Sequence, residues 1–367
     1  MTGLARQAGN DAHHDERVRD LVVVGGGPVG LATAIHARMA GLRVVVLEPR
    51  AGTIDKACGE GLMPGALASL ARVGVDPAGM PMRGITYTDG TRSASTDFAV
   101  GPGRGVRRTE LHRSLRERAD ETGVQVMSSR MASLHQDSAG VDIMLRGTTK
   151  HVVRSRYVVG ADGLHSRARR EVGAGRPSTH RRRYGFRQHY AMAPWTDHVE
   201  VHWGRDAEVY VTPISPDSLG VAVLTSRTGS FEEHIAQFPA VARRVDAASP
   251  ISSVRAAGPL RQQVRHRRHG RVLLVGDAGG YVDALTGEGL SVGLAQAEVA
   301  VQAIRADAPG QYEAMARSVS WRSTLLTTAL VEATRVPMVR RAIVPAAQRA
   351  PWLFSRAVNE LAATAPP

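Results

Sequence analysis

The sequence has one cysteine, Cys58, in 367 residues. A single thiol excludes an internal disulfide and a thiolate metal cluster, and it points to a reducing compartment, expected to be the cytoplasm. The histidines fall in pairs or basic loops, such as His266 and His269, with no HExxH or His/Cys cluster, so no metal site is expected. Lysine is scarce too: only Lys56 and Lys150 stand among 47 basic residues, and a net charge of +13 is carried by arginines scattered over the whole length. No helix-turn-helix, finger or RNP-like pattern accompanies that charge, which argues against a nucleic-acid partner. Residues 1–17 are polar, lack the apolar core of a signal peptide and read as a disordered tail, and no apolar run reaches the length of a membrane span.

What is present begins at residue 21. The run 21–24 (LVVV) has the continuous apolar character of a strand covered on both faces, and 28–41 (PVGLATAIHARMAG) reads as a helix ending at Gly41. Between them lies Gly25-x-Gly27-x-x-Gly30, with Pro28 opening the helix. Gly25 permits a tight turn, Gly27 lets the backbone approach a pyrophosphate, and Gly30 lets helix and strand pack closely. A second apolar strand, 43–47, ends in Glu48, placed to accept from an adenosine ribose hydroxyl. The fingerprint predicts dinucleotide binding without choosing between NAD and FAD.

Two later segments share this design. Residues 156–163 (RYVVGADG) and 271–277 (RVLLVGD) are apolar strands that stop at a Gly/Asp turn and run into helical patterns. Together, GGGPVG with Glu48, GADGLHSRAR and GDAGGYVDALTGEG resemble the group A FAD-dependent monooxygenases of the para-hydroxybenzoate hydroxylase type and their relatives the geranylgeranyl reductases, over nearly the whole chain from Val18. The resemblance implies an α/β fold: a Rossmann-like FAD-binding domain with an inserted antiparallel substrate sheet and C-terminal helices. It implies non-covalent FAD, with NAD(P)H as a transient co-substrate. It also implies that Asp277 of the Gly276-Asp277 turn bonds the ribityl chain while the amides of the helix following it face the pyrophosphate. Asp162-Gly163 would then lie near both nucleotides, and Arg108 beside the flavin phosphates. In 107–122, Thr109 is placed to cap a helix whose Leu111, Leu115 and Ala119 share one face.

Pattern and resemblance divide the chain into a discontinuous FAD-binding domain (18–76, 105–175, 260–308), a substrate sheet (77–104, 176–259) and C-terminal helices (309–367). Residues 85–98 carry an Asp89-Gly90 hairpin signal, and 184–225 give four alternating runs. The stretch 335–356 mixes arginine with Val, Ile, Leu, Trp and Phe. Its prolines favour a packed helix pair, and a peripheral membrane contact is the alternative.

The loop 55–65 (DKACGEGLMPG) resembles the CGxGL loop of the reductase relatives, where Cys58 is either a redox thiol or a small residue packed near the flavin. Gly287-Glu288-Gly289 would offer amides to a reduced flavin from the opposite side. Tyr190, His202 and Tyr210, with His189, are candidate groups for activating a phenol, since a phenolate attacks oxygen faster than a phenol. Period-two geometry puts Tyr190 with Phe186 and Gln188, and His202 with His198 and Glu200, without fixing which face points inward. The WxWxIP pattern of flavin halogenases is missing. The expected activity is hydroxylation or oxidation of a phenolic or polyketide-like small molecule with NAD(P)H and O2 through a C4a-hydroperoxyflavin; reduction of a prenyl chain is the alternative.

Overall fold

The computed structural model describes residues 19–146, 152–177 and 181–363, so the segment 1–17 lies outside the described residues. Five parallel strands form the centre of the first sheet in the order Val272–Leu274, Val152–Gly160, Arg19–Val24, Val44–Leu47, Gln125–Met127. Their apolar runs follow from burial on both sides. Leu21 and Val23 pack under the helices Pro28–Met39 and Gly289–Arg305, while Val22 and Val24 pack against Met131, Ile143 and Ala168 on the other face. The strand Val141–Leu145 extends this sheet antiparallel to Val152–Gly160, and Met131–Gln136 pairs antiparallel with Val141–Leu145.

The helix Arg108–Glu121 buries Leu111, Leu115 and Ala119 as expected, and His112 with them. Its first residue is Arg108 and no side chain caps it, so Thr109 sits inside the first turn rather than at the cap. The segment after Asp277 does not enter a helix directly. Gly276–Gly279 is a short 3-10 turn, and the long helix starts only at Gly289, because Gly276, Gly280 and Gly287 take positive φ and break the intervening chain.

The second sheet is largely antiparallel, in the order Ser249–Pro250, Tyr184–Ala191, Ser218–Thr225, Ala207–Ser215, His198–Trp203, Gly84–Thr88, Ser93–Asp97. The last two strands form the hairpin signalled by Asp89-Gly90, whose Asp89 carboxylate accepts from the amides of Thr91 and Arg92. One face of this sheet is covered by the helices Phe231–Ile235 and Pro239–Val245. Its other face looks toward the first sheet and leaves a chamber, lined at the far end by the helix Pro351–Ala362, with the helix Pro337–Arg349 packed beside it. Pro337 and Pro351 each sit at a helix start, as a packed pair requires, and Pro345 lies within the first helix.

Candidate functional site

A single cavity runs from the glycine-rich turn into the chamber under the second sheet. At the turn, Gly25 has φ of 107° and a Cβ there would lie 2.6 Å from the Ala161 carbonyl oxygen. A Cβ on Gly30 would lie 1.9 Å from the Gly25 oxygen, so strand and helix meet only because both residues lack one. Gly27, by contrast, faces open space and lines the cavity with Pro28. His112 braces the turn from behind: Nε2 meets the Gly26 carbonyl at 3.0 Å and the Ile54 amide donates to Nδ1 at 3.4 Å. Burial keeps this imidazole below its ordinary pKa and therefore neutral, which allows one nitrogen to donate and the other to accept.

Glu48 ends its strand buried, accepting from the Gly26 amide at 2.8 Å and from the Arg50 guanidinium at 2.7 and 2.9 Å. Burial works to raise this carboxyl, but the bonds from Arg50 and Gly26 outweigh it and hold the pKa below the ordinary value. Asp162 is used as a cap: its carboxylate accepts from the Ser166 hydroxyl and from the amides of Arg167 and Ala168, fixing the helix Arg167–Glu171. Gly163, at φ of 77°, leaves room for the Lys56 ammonium, which a Cβ would approach to 3.0 Å. Lys56, Arg108 and Arg50 all line this end of the cavity.

Asp277 also lines it, and its carboxylate makes no hydrogen bond among the described residues. Burial raises its pKa, against the pull of Lys56, Arg108 and Arg169. The Nε of Arg108 is likewise buried without a partner. An unpaired acid lining the cavity and a buried guanidinium nitrogen left open beside a bare glycine turn suit a ligand with both hydroxyls and phosphates. A flavin dinucleotide has this donor and acceptor set, and the residues present fit it. Gly287 and Gly289 line the same cavity, whereas Glu288 turns to the other side of its loop and accepts from the Ser323 hydroxyl. Burial pushes the Glu288 pKa up to about 8.

The Cys58 loop separates this end from the chamber. The Cys58 sulfur accepts from the Glu60 amide at 3.4 Å, and burial pushes the thiol up, so it stays protonated at neutral pH. Glu60 adopts φ of 61°, unusual for a residue with a Cβ, and anchors the loop. Its carboxylate accepts from the Arg108 amide at 2.8 Å and meets His189 Nε2 at 2.6 Å. His189 is held in turn by Ser252 at 3.0 Å, and Arg187 pairs with Asp55 at the start of the loop. His189 is thus part of the scaffold beneath the loop. Its charged partner Glu60 escapes a sequence reading because a glutamate between two glycines looks solvent-exposed; the available signal is its placement within an otherwise apolar, glycine-rich segment.

Beyond the loop the lining changes character. Val199, Val201, Ala222, Leu224 and Leu285 surround the chamber, with Val358 and Leu361 from the last helix. Tyr210 lines it too, but its hydroxyl donates to the Leu285 carbonyl at 2.7 Å and burial drives its pKa well above that of a free tyrosine. Of the four candidate catalytic residues, Cys58 and Tyr210 therefore reach the cavity. Tyr190 and His202 do not. Alternation puts Tyr190 on the opposite face, packed with Phe231 and Val241, and puts His202 there with Glu200, 3.0 Å away. Both faces of this sheet are buried, so burial patterning in the sequence carries no sign of which is inward.

Residues 19–311 match the family described as FAD binding domain. The chain belongs to that family. It is a flavoprotein of the group A monooxygenase superfamily and an FAD-dependent oxidoreductase. Among curated proteins it is 27% identical over 312 residues to a menaquinone reductase of Mycobacterium tuberculosis strain H37Rv, covering 77% of this chain and 76% of that one. It is 29% identical to digeranylgeranylglycerophospholipid reductase 2 of Methanopyrus kandleri, over 78% of both chains. A 3-(3-hydroxy-phenyl)propionate/3-hydroxycinnamic acid hydroxylase of Mycobacterium sp. strain JLS matches at 33% over 175 residues, 43% of this flavoprotein and 30% of the hydroxylase. In fold it superposes on the flavin-dependent brominase Bmp2 with a TM-score of 0.80 at 18% identity, over 94% and 93% of the two chains.

Proposed function

We propose that this flavoprotein is a monooxygenase that hydroxylates or oxidises a phenolic or polyketide-like molecule, taking electrons from NAD(P)H and one oxygen atom from O2. The observation that carries the reading is the continuity of the nucleotide cradle with an apolar chamber lined at its far end by the last helix. FAD, when bound, would supply the redox chemistry, hydride uptake from NAD(P)H and two-electron reduction of O2, with one oxygen atom entering substrate and the other leaving as water. The chain's own residues hold and exclude. Gly25, Gly27 and Gly30 receive the pyrophosphate, Glu48 faces the adenosine ribose, Asp277 takes ribityl hydroxyls, and Arg108 with Lys56 balances phosphate charge. The aliphatic chamber keeps water from the reacting oxygen, which otherwise diverts reducing equivalents to peroxide.

No carboxylate or imidazole among the described residues lines the aliphatic part of the chamber, and Tyr210 is committed to Leu285. A phenol bound there keeps its proton unless its own acidity or the Cys58 loop assists. This favours an electron-rich ring carrying a large apolar substituent over a small charged aromatic acid.

The second reading is reduction of a prenyl chain. It is favoured by the CGEGL loop with its protonated Cys58 thiol and by relatives whose names are reductases. Anaerobic reduction followed by rapid mixing separates the two. A monooxygenase gives, with O2, a transient absorbance distinct from both reduced and oxidised flavin, and 18O2 labels the product. A prenyl reductase is reoxidised by a polyprenyl substrate without O2 and incorporates no label.

A further inference from the structure

The outer faces of the C-terminal helices differ from the rest of the surface. Of eleven exposed large hydrophobic residues among those described, seven fall between 321 and 353, with Met338 at 81% and Trp352 at 69% exposure. In the helix Pro337–Arg349 the inner side is Arg340, Val344 and Ala347. Helical spacing puts Met338, Ala342, Ala346 and Arg349 together on the outer side, all exposed. The helix Pro351–Ala362 buries Phe354, Val358 and Ala362 and exposes Trp352, Leu353 and Arg356. Both helices are therefore apolar on the side that packs and apolar again on the side that does not.

The charge of this segment has one sign. No Asp or Glu occurs between Glu332 and Glu360, while five arginines do. Arg340 is used inside and Arg335 pairs with Glu332, whereas Arg341, Arg349 and Arg356 make no ion pair among the described residues. Exposed Trp, Met and Leu interspersed with unpaired arginine is the composition of a helix lying in the plane of an anionic lipid surface. Self-association of this face is disfavoured by the same arginines, because a two-fold interface would set them against their own copies with no acid between. No helix of the described residues is long and apolar enough to cross a membrane.

We propose that the helices Pro337–Arg349 and Pro351–Ala362 dock this flavoprotein in the headgroup region of an anionic phospholipid bilayer. Taken with the function proposed above, on which this part rests, Val358 and Leu361 on the inner side of the docked helix make the chamber a site for a substrate whose hydrocarbon part resides in that bilayer.

The test is flotation of the FAD-loaded protein with vesicles of phosphatidylcholine alone and of an equimolar mixture with phosphatidylglycerol. Binding is expected to the mixed vesicles, at least roughly tenfold tighter than to phosphatidylcholine, and weakened by salt. The triple variant Arg341→Ala/Arg349→Ala/Arg356→Ala is expected to lose roughly a hundredfold in affinity at low salt. The variant Trp352→Ser/Leu353→Ser is expected to float poorly on both vesicles. Flavin absorbance and circular dichroism identify any variant that has merely unfolded. Absence of flotation by the wild type, equal affinity for the two vesicles, or affinity untouched by the triple variant overturns the proposal. So does a dimer in light scattering that Trp352→Ser/Leu353→Ser dissociates, which would assign the face to a second copy. Flotation involves no turnover, so failure of the monooxygenase reading leaves these outcomes unchanged.

Discussion

The two ends of the cavity are held by different physics. At the nucleotide end the shape comes from backbone: Gly25 and Gly30 touch through missing Cβ atoms, while the Asp277 carboxylate and the Arg108 Nε line it without hydrogen-bond partners among the described residues. At the chamber end the shape comes from buried ions. Arg183 pairs with Glu208 and with Asp283, and Arg340 reaches the other oxygen of Glu208 at 2.6 Å. This bracket ties the second sheet, the loop leading to Gly287 and the first of the closing helices at one point. A site made of backbone tolerates the loss of one polar side chain with its architecture intact, whereas a buried charge network does not.

Arg340→Ala should break that contrast most visibly. Arg340 also donates to the carbonyls of Gly204 and Ala207, so its removal leaves Glu208 and two buried acceptors short of a partner. A loss of about 3–5 kcal/mol is expected in denaturant unfolding of the apoprotein. FAD affinity measured under folding conditions should change little, because the nucleotide end shares none of these groups. A stability loss below about 1 kcal/mol would show that the bracket does not hold the closing helix.

The nucleotide end is attacked through its ligands instead. Asp277→Ala should weaken FAD binding by about 1.5–3 kcal/mol, roughly 10- to 150-fold in Kd, with unfolding of the apoprotein nearly unchanged. Glu48→Ala should weaken it less, since Glu48 already spends its oxygens on Gly26 and Arg50. Titration of apoprotein with FAD gives both values, and equal affinities for wild type and Asp277→Ala would remove Asp277 from the ribityl contact.

These two ends were also unequally legible. The place of Gly25, Gly27, Gly30, Asp162 and Asp277 at the turns that form this end was readable because the steric demand on each glycine and the strand-ending position of each acid are local properties of the chain, although the capping use of Asp162 was not. The long helix after Asp277 is readable from its apolar pattern, but its start is separated from the acid by a chain that three positive-φ glycines break, so the helix begins at Gly289. In the chamber the limiting factor was non-local. Tyr190 and His202 alternate correctly with their neighbours, but both sheet faces are buried and only tertiary packing assigns the inner one. Glu60, Glu208 and Arg340 each find a partner more than a hundred residues away, and no spacing rule connects them.

Proton linkage sharpens the comparison through the loop that leads into the long helix, which carries both Asp283 and Glu288. Burial holds Asp283 up at about 6 and Glu288 at about 8, both above their unfolded values. A carboxyl more easily protonated when folded contributes stability that is fully present below its unfolded pKa and is lost as pH rises through its folded pKa. Stability should therefore decline as pH rises toward about 8, and Glu288→Gln, which keeps an acceptor for Ser323, should flatten the upper part of that decline. Unfolding midpoints measured across this range for the two proteins make the check, and parallel curves would mean that Glu288 is ionised throughout.

The smallest expected effect falls at the boundary between the two ends. Cys58 donates nothing to the cradle and nothing to the ionic bracket; its sulfur accepts one long bond from Glu60, and the loop is already fixed by Glu60 and by the Thr212 hydroxyl on the Gly59 carbonyl at 2.8 Å. Cys58→Ser should therefore leave FAD affinity and NAD(P)H-dependent flavin reduction within about twofold, with a stability change of about 1 kcal/mol or less. For a monooxygenase, product formation should follow flavin reduction and stay high, because oxygen transfer asks for a dry chamber and not for a thiol. For a prenyl reductase, the alkene carbon that does not receive hydride must take a proton, and the protonated thiol, which lines the cavity, would be its donor. Serine, a far weaker acid, would then suppress substrate reduction while flavin reduction proceeds unchanged. Parallel measurement of flavin reduction and product yield in this one variant thus decides whether residue 58 belongs with the packing of the loop or with the chemistry, and a selective collapse of yield would carry the assignment over to the reductase.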